Sequence, residues 1–86
     1  MPELSRFYGI TIRMYFDDHL PPHFHAVYGG DEAVIGIDSL GLLRGRLPVR
    51  ALGLTVEWAS SHQAELQDAW NRAKRLEAPG KIAPLE

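Results

Sequence analysis

Three of the four histidines fall within seven residues, in the run His19-Leu20-Pro21-Pro22-His23-Phe24-His25. If the end of this run is extended, His23 and His25 project from one face of a strand and Phe24 from the other, because side chains alternate along a strand. Two neighbouring imidazoles are compatible with three kinds of chemistry. They can act as general acid and base on a phosphodiester, since imidazole exchanges its proton near neutral pH. They can ligate one metal ion, with Asp17, Asp18 or His19 of the preceding loop completing the set. Or they are structural, bonding to backbone groups that Pro21 and Pro22 leave without ladder partners. The spacing permits all three and selects none.

On the first reading His23 and His25 are the candidate catalytic pair, and His19, Arg13, Tyr15, Arg44, Arg46 and His62 the candidate binding residues. The arginines would stabilise developing negative charge, and RNA cleavage by this route needs no metal. Cysteine is absent, which removes disulfides, thiolate nucleophiles, Cys-ligated zinc and iron–sulfur clusters. With only imidazoles and loop carboxylates to offer, the chain is expected to hold no cofactor and no tight metal site. His62, one helical turn after Trp58, reads as a boundary residue beside an apolar stripe. No phosphate loop, Gly-x-Gly-x-x-Gly or nucleophile elbow is present.

These side chains must be positioned by strands and a helix. Tyr8 to Phe16 alternates Ile10, Ile12, Met14 and Phe16 against Thr11, Arg13 and Tyr15, the period of a half-buried strand. Pro21-Pro22 breaks the chain, and a second strand runs from His23 to Tyr28. Gly29-Gly30-Asp31 turns into a third strand, Glu32 to Asp38, and Ser39-Leu40-Gly41 into a fourth, Leu42 to Leu47. The hairpin registers with turn residues Gly29-Gly30 or Gly30-Asp31 both place Phe24, Ala26 and Tyr28 beside Ala33, Ile35 and Ile37 on a helix-covered face. His23 and His25 then join Val34, Gly36 and Asp38 on the other face, open or covered by a partner. In the second register His25 opposes Gly36 and His23 opposes Asp38. If Leu43 and Leu47 point inward, Arg44 and Arg46 join Arg13 and Tyr15 on the histidine face.

From Pro48 the period changes. Val49, Leu52, Val56, Ala59, Gln63, Leu66, Trp70 and Ala73 mark the stripe of one amphipathic helix running to about Leu76, where Ala78-Pro79-Gly80 stops it. Gly53 inside it suggests close approach to the sheet. The expected fold is α+β: a four-stranded antiparallel meander followed by one long helix on one face, with an irregular tail from about residue 78. Its expected core includes Ile10, Ile12, Phe24, Ile35, Leu52, Val56 and Leu66.

Eighty-six residues, 45% hydrophobic and 23% charged, fit one folded domain with a thin core, 1–86. Nine Lys and Arg against eleven Asp and Glu give a net charge of -2, so attraction to RNA would have to come from a local patch. The first residues lack the pattern of an export signal, and no apolar run is long enough to span a bilayer, so a cytoplasmic protein that does not engage membranes is expected.

Taken together, Ser5-Arg6-Phe7-Tyr8-Gly9-Ile10, the block from Asp18 to Gly29, Gly45-Arg46-Leu47-Pro48, and Glu57-Trp58-Ala59 with His62, Glu65-Leu66 and Trp70 resemble one family. It is the family of small prokaryotic proteins known as domain of unknown function 4160. The resemblance runs from about Pro2 to Leu85 and rests chiefly on the Pro-Pro-His-Phe-His block. It implies a component of a toxin–antitoxin-like pair, with a small protein encoded nearby, or self-association, as partner. It assigns no catalytic residue, and His19, Pro21, Pro22, His23, Phe24, His25 and His62 enter as motif positions. The alternatives to an RNA-directed role are a non-catalytic protein-interaction or transcriptional-regulatory module, and a His-cluster metal-binding protein.

Overall fold

The computed structural model describes residues 2–86. Five strands form one antiparallel sheet in chain order: β1 (Glu3–Phe7), β2 (Ile10–Arg13), β3 (His23–Tyr28), β4 (Asp31–Gly36) and β5 (Leu42–Gly45). Two helices follow, α1 (Val49–Ser60) and α2 (Gln63–Lys74). The α+β class and the antiparallel meander hold, but the sheet has five strands where four were expected and two helices where one was expected.

The extra strand arises at Tyr8-Gly9. Both residues take positive φ, 49° and 80°, and join Phe7 to Ile10 by a two-residue hairpin turn. Tyrosine is a poor indicator of such a turn, so the segment reads as the start of a strand when it is the bend between two. The expected strand from Tyr8 to Phe16 is thus only Ile10–Arg13, the third ends at Gly36, not Asp38, and the fourth at Gly45, not Leu47.

The single helix breaks at Ser61-His62. Ser60 and Ser61 hydroxyls donate back to the Glu57 carbonyl, a local bond that competes with helix continuation. His62 then starts α2 as its N-cap, with Glu65 three residues on. The buried side of α1 is Ala51, Thr55, Trp58 and Ala59, rotated from the expected stripe, which leaves Val49 exposed and Leu52 and Val56 only half-buried. Gly53 faces open space and does not approach the sheet.

The face formed by Phe24, Ala26, Ala33, Ile35 and Ile37 is buried beneath these helices, but Tyr28, expected on the same face, is exposed where β3 ends at the Gly29-Gly30 turn. Trp58 lies at its centre, with ring centroids 5.3 Å from Phe7 and 5.9 Å from Phe24. The tail from residue 78 is irregular but tied down. Trp58 Nε1 donates to the Ala83 carbonyl at 2.8 Å, and the Ile82 N–H donates to the Leu4 carbonyl at 2.8 Å along the β1 edge. No helix among the described residues is long and apolar enough to cross a membrane.

Candidate metal centre

The hairpin β3–β4 adopts the register in which His23 opposes Gly36 and His25 opposes Val34. The alternative, with Asp38 opposite His23, is not formed. The two-residue Gly29-Gly30 turn decides this, Gly29 supplying the positive φ of 58°. The histidine side of β3 is not open either. His23 and His25 are buried, covered by this chain's own residues 15–22 and by α2.

That cover is built by the loop between β2 and β3. Asp17 turns it with φ 49°, a conformation Asp tolerates better than most residues. The Asp17 N–H donates to the Ala73 carbonyl, and Lys74 Nζ pairs with the Asp17 carboxylate and donates to the Asp18 carbonyl. The end of α2 therefore clamps the loop so that the Asp18 carboxylate lies over the two imidazoles. The Leu20–Pro21 bond is cis.

Asp18 Oδ2 stands 2.9 Å from His23 Nε2 and 3.7 Å from His25 Nε2. On the far side of each ring, Nδ1 meets an acceptor. His23 Nδ1–H donates to the Pro21 carbonyl at 2.7 Å, and His25 Nδ1–H donates to Glu32 Oε2 at 2.9 Å. A ring with its proton on Nδ1 presents a lone pair at Nε2. Both lone pairs and the Asp18 oxygen thus converge, and His25 Nε2 is buried with no hydrogen-bond partner among the described residues. A buried polar atom left in that state costs about 1–3 kcal/mol. A proton on His23 Nε2 would satisfy the contact with Asp18, yet His25 Nε2 would still lack a partner.

Burial pushes the Asp18 carboxyl up, but the hydrogen bond from the His19 N–H and the contact with His23 outweigh it and hold the group below the ordinary 3.8 of an aspartate. It is therefore a carboxylate at neutral pH. The ligand atoms of Asp18, His23 and His25 all lie within 4.8 Å of one another. Tyr15 packs edge-on against the His25 ring at 4.3 Å, and Trp70 lies 5.1 Å from the His23 ring.

The family model described as Domain of unknown function (DUF4160) matches residues 9–71. The chain belongs to this family. The DUF4160 match includes the whole His19–His25 block, both residues that carry the strands' registers at His25 and Val34, and His62. Neither a curated relative nor a solved structure matches the chain.

Of the residues singled out in the sequence, His23, His25 and Tyr15 come together, and Arg13 sits directly opposite His25 on β2. Arg44 lies in the same cross-strand row through Val34. His19 is exposed beside Asp18. Arg46 falls beyond β5 and pairs with Asp31 at 3.8 Å, while His62 is engaged with Glu65 at the helix junction, stacked near Trp58. Leu43, expected inward, is exposed on the histidine side. Glu32 was not singled out. Its signal was available in the register, since it opposes Val27 and is thereby a diagonal neighbour of His25 on one face.

Proposed function

We propose that this protein binds one divalent transition-metal ion, of the zinc type, through Asp18 Oδ2, His23 Nε2 and His25 Nε2. The observation that carries this reading is the buried, unpartnered His25 Nε2 aimed at a carboxylate that already faces a second imidazole. Two nitrogens and one oxygen suit zinc and its neighbours, and ligating histidines commonly donate their other ring N–H to a carbonyl or carboxylate. Pro21 and Glu32 fill those supporting roles here. Zinc held by these three residues would supply Lewis-acid chemistry toward a carbonyl or phosphoryl oxygen. A metal-free acid–base role for His23 and His25 draws less support, because both rings are buried and engaged within the chain.

Calorimetric titration of Zn²⁺ into chelator-treated protein tests this. One ion per chain at micromolar affinity or tighter, lost in both His23→Ala and His25→Ala, is the expected result. No binding by the wild type, or binding unchanged in both variants, overturns it.

A second reading, a component of a toxin–antitoxin-like pair, is favoured by one specific observation. Leu42 and Leu43 are exposed on β5, the free edge of the sheet, where a small protein partner or a second copy would find apolar surface. Expression alone and with its gene neighbour, scored for growth arrest, tests it: arrest relieved by the neighbour supports the pair, and growth unaffected in both cases opposes it.

A further inference from the structure

Beside the histidine cluster lies a cleft of about 230 Å³, lined by His19, Pro21, His23, Val34, Leu43 and Arg44. A β-bulge shapes it. Val34 pairs with Arg44 while Ile35 pairs with Leu42, so Leu43 is an extra residue on β5. Strict alternation would send Leu43 and Arg44 to opposite faces, but the bulge re-aims the strand and both line the cleft. Gly36 keeps its neighbourhood clear. A Cβ there would stand 3.0 Å from Ser39 Oγ and 3.7 Å from Leu43 Cδ1.

The one carboxylate in contact with cleft-lining residues is Asp18, 3.8 Å from His19 Nε2 and 2.9 Å from His23 Nε2. Arg6, Arg46, Arg72 and Arg75 each pair with a carboxylate. Arg13, Arg44 and Arg50 pair with none among the described residues; of these three Arg44 is the one that lines the cleft, whose lining includes no acidic side chain. Through Val34, Arg44 stands in the same row as His25, two strand spacings of about 4.8 Å away. A guanidinium offers paired N–H donors matched to the oxygens of phosphate, and Pro21, Val34 and Leu43 form an apolar wall next to it.

We infer that this cleft binds a small phosphate ester, with the phosphate on Arg44 and His19 and the ester's apolar body against Pro21, Val34 and Leu43. The inference goes beyond the metal reading and shares only His23 with it. Phenyl phosphate, followed by calorimetry with and without Zn²⁺, is the probe. The wild type should bind it, and Arg44→Gln should weaken binding by about tenfold or more, the loss of a charge-assisted pair. Arg46→Gln, whose guanidinium pairs with Asp31 away from the cleft, should bind as the wild type does, and all three proteins should take up zinc equally. Circular dichroism of Arg44→Gln should match the wild type. Failure of the wild type to bind phenyl phosphate, an unaffected Arg44→Gln, or benzoate binding as tightly as phenyl phosphate overturns the inference. If zinc does not bind but phenyl phosphate binding still depends on Arg44, the metal reading falls and the cleft stands.

Discussion

On one side of β3, Phe24 and Ala26 are buried among apolar side chains from the neighbouring strands and from α1. On the other side His23 and His25 are buried almost as deeply, but among polar atoms that do not all find partners. The first side is complete as packing. Its atoms need only contact, which Phe7, Trp58 and Ile35 supply. The second side is organised around converging polar atoms. Carbonyl and carboxylate acceptors fix the Nδ1 side of each ring, and the Nε2 atoms meet at Asp18. Four successive residues of one strand, His23 to Ala26, thus divide between fold and site, and mutations on the two sides should be read by different assays.

The largest effect belongs to the packed side. Phe24→Ala should cost about 3–5 kcal/mol in a denaturant titration, because it opens a cavity under Trp58. Its residual zinc affinity, measured where the variant is still folded, should be unchanged. A loss below about 1 kcal/mol would mean that this side is not the core.

Zinc should act next. At a hundredfold excess over its dissociation constant, an ion that binds only the folded chain adds about 2.7 kcal/mol, which for a domain of this size raises the thermal midpoint on the order of 10–20 °C. A midpoint that does not move with zinc would break the contrast between the two sides.

Glu32→Gln should come third. It replaces the carboxylate that orients His25 with a weaker acceptor and should reduce metal affinity by about 10–100-fold. Because Glu32 is exposed, stability without metal should stay within about 0.5 kcal/mol.

The sharpest contrast with Phe24 is expected of His25→Leu. It removes the unpartnered Nε2 together with the Nδ1–H bond to the exposed Glu32 carboxylate, two effects of opposite sign, so the metal-free protein should shift by less than about 1 kcal/mol while zinc binding disappears. A loss of several kcal/mol would show that His25 serves the fold.

Much of the packed side is legible from the period of two in residues 23–28 and 32–37, because both candidate hairpin registers put Phe24 and Ala26 on the same face as Ala33, Ile35 and Ile37. Tyr8-Gly9 was not legible, since a tyrosine with positive φ belies its strand propensity. The helix break was announced only by Ser60-Ser61, whose hydroxyls compete with the backbone. At the site, the pairing of His23 with His25 followed from alternation, and Asp18 was among the loop residues that spacing allowed. The burial of the pair did not follow, because it depends on a clamp between Lys74 and residues 17–18 that lies more than fifty positions along the chain. Leu43 was misplaced for a related reason: a bulge changes the face of a residue without changing the pattern around it.

The account turns on where a metal sits, and anomalous diffraction at the zinc edge from crystals grown with Zn²⁺ measures that directly. The predicted result is one strong peak at about 2.0–2.2 Å from His23 Nε2, His25 Nε2 and Asp18 Oδ2 together, the distances zinc takes to imidazole and carboxylate. A peak confined to exposed groups such as His62 and Glu65, or none near Asp18, would contradict it.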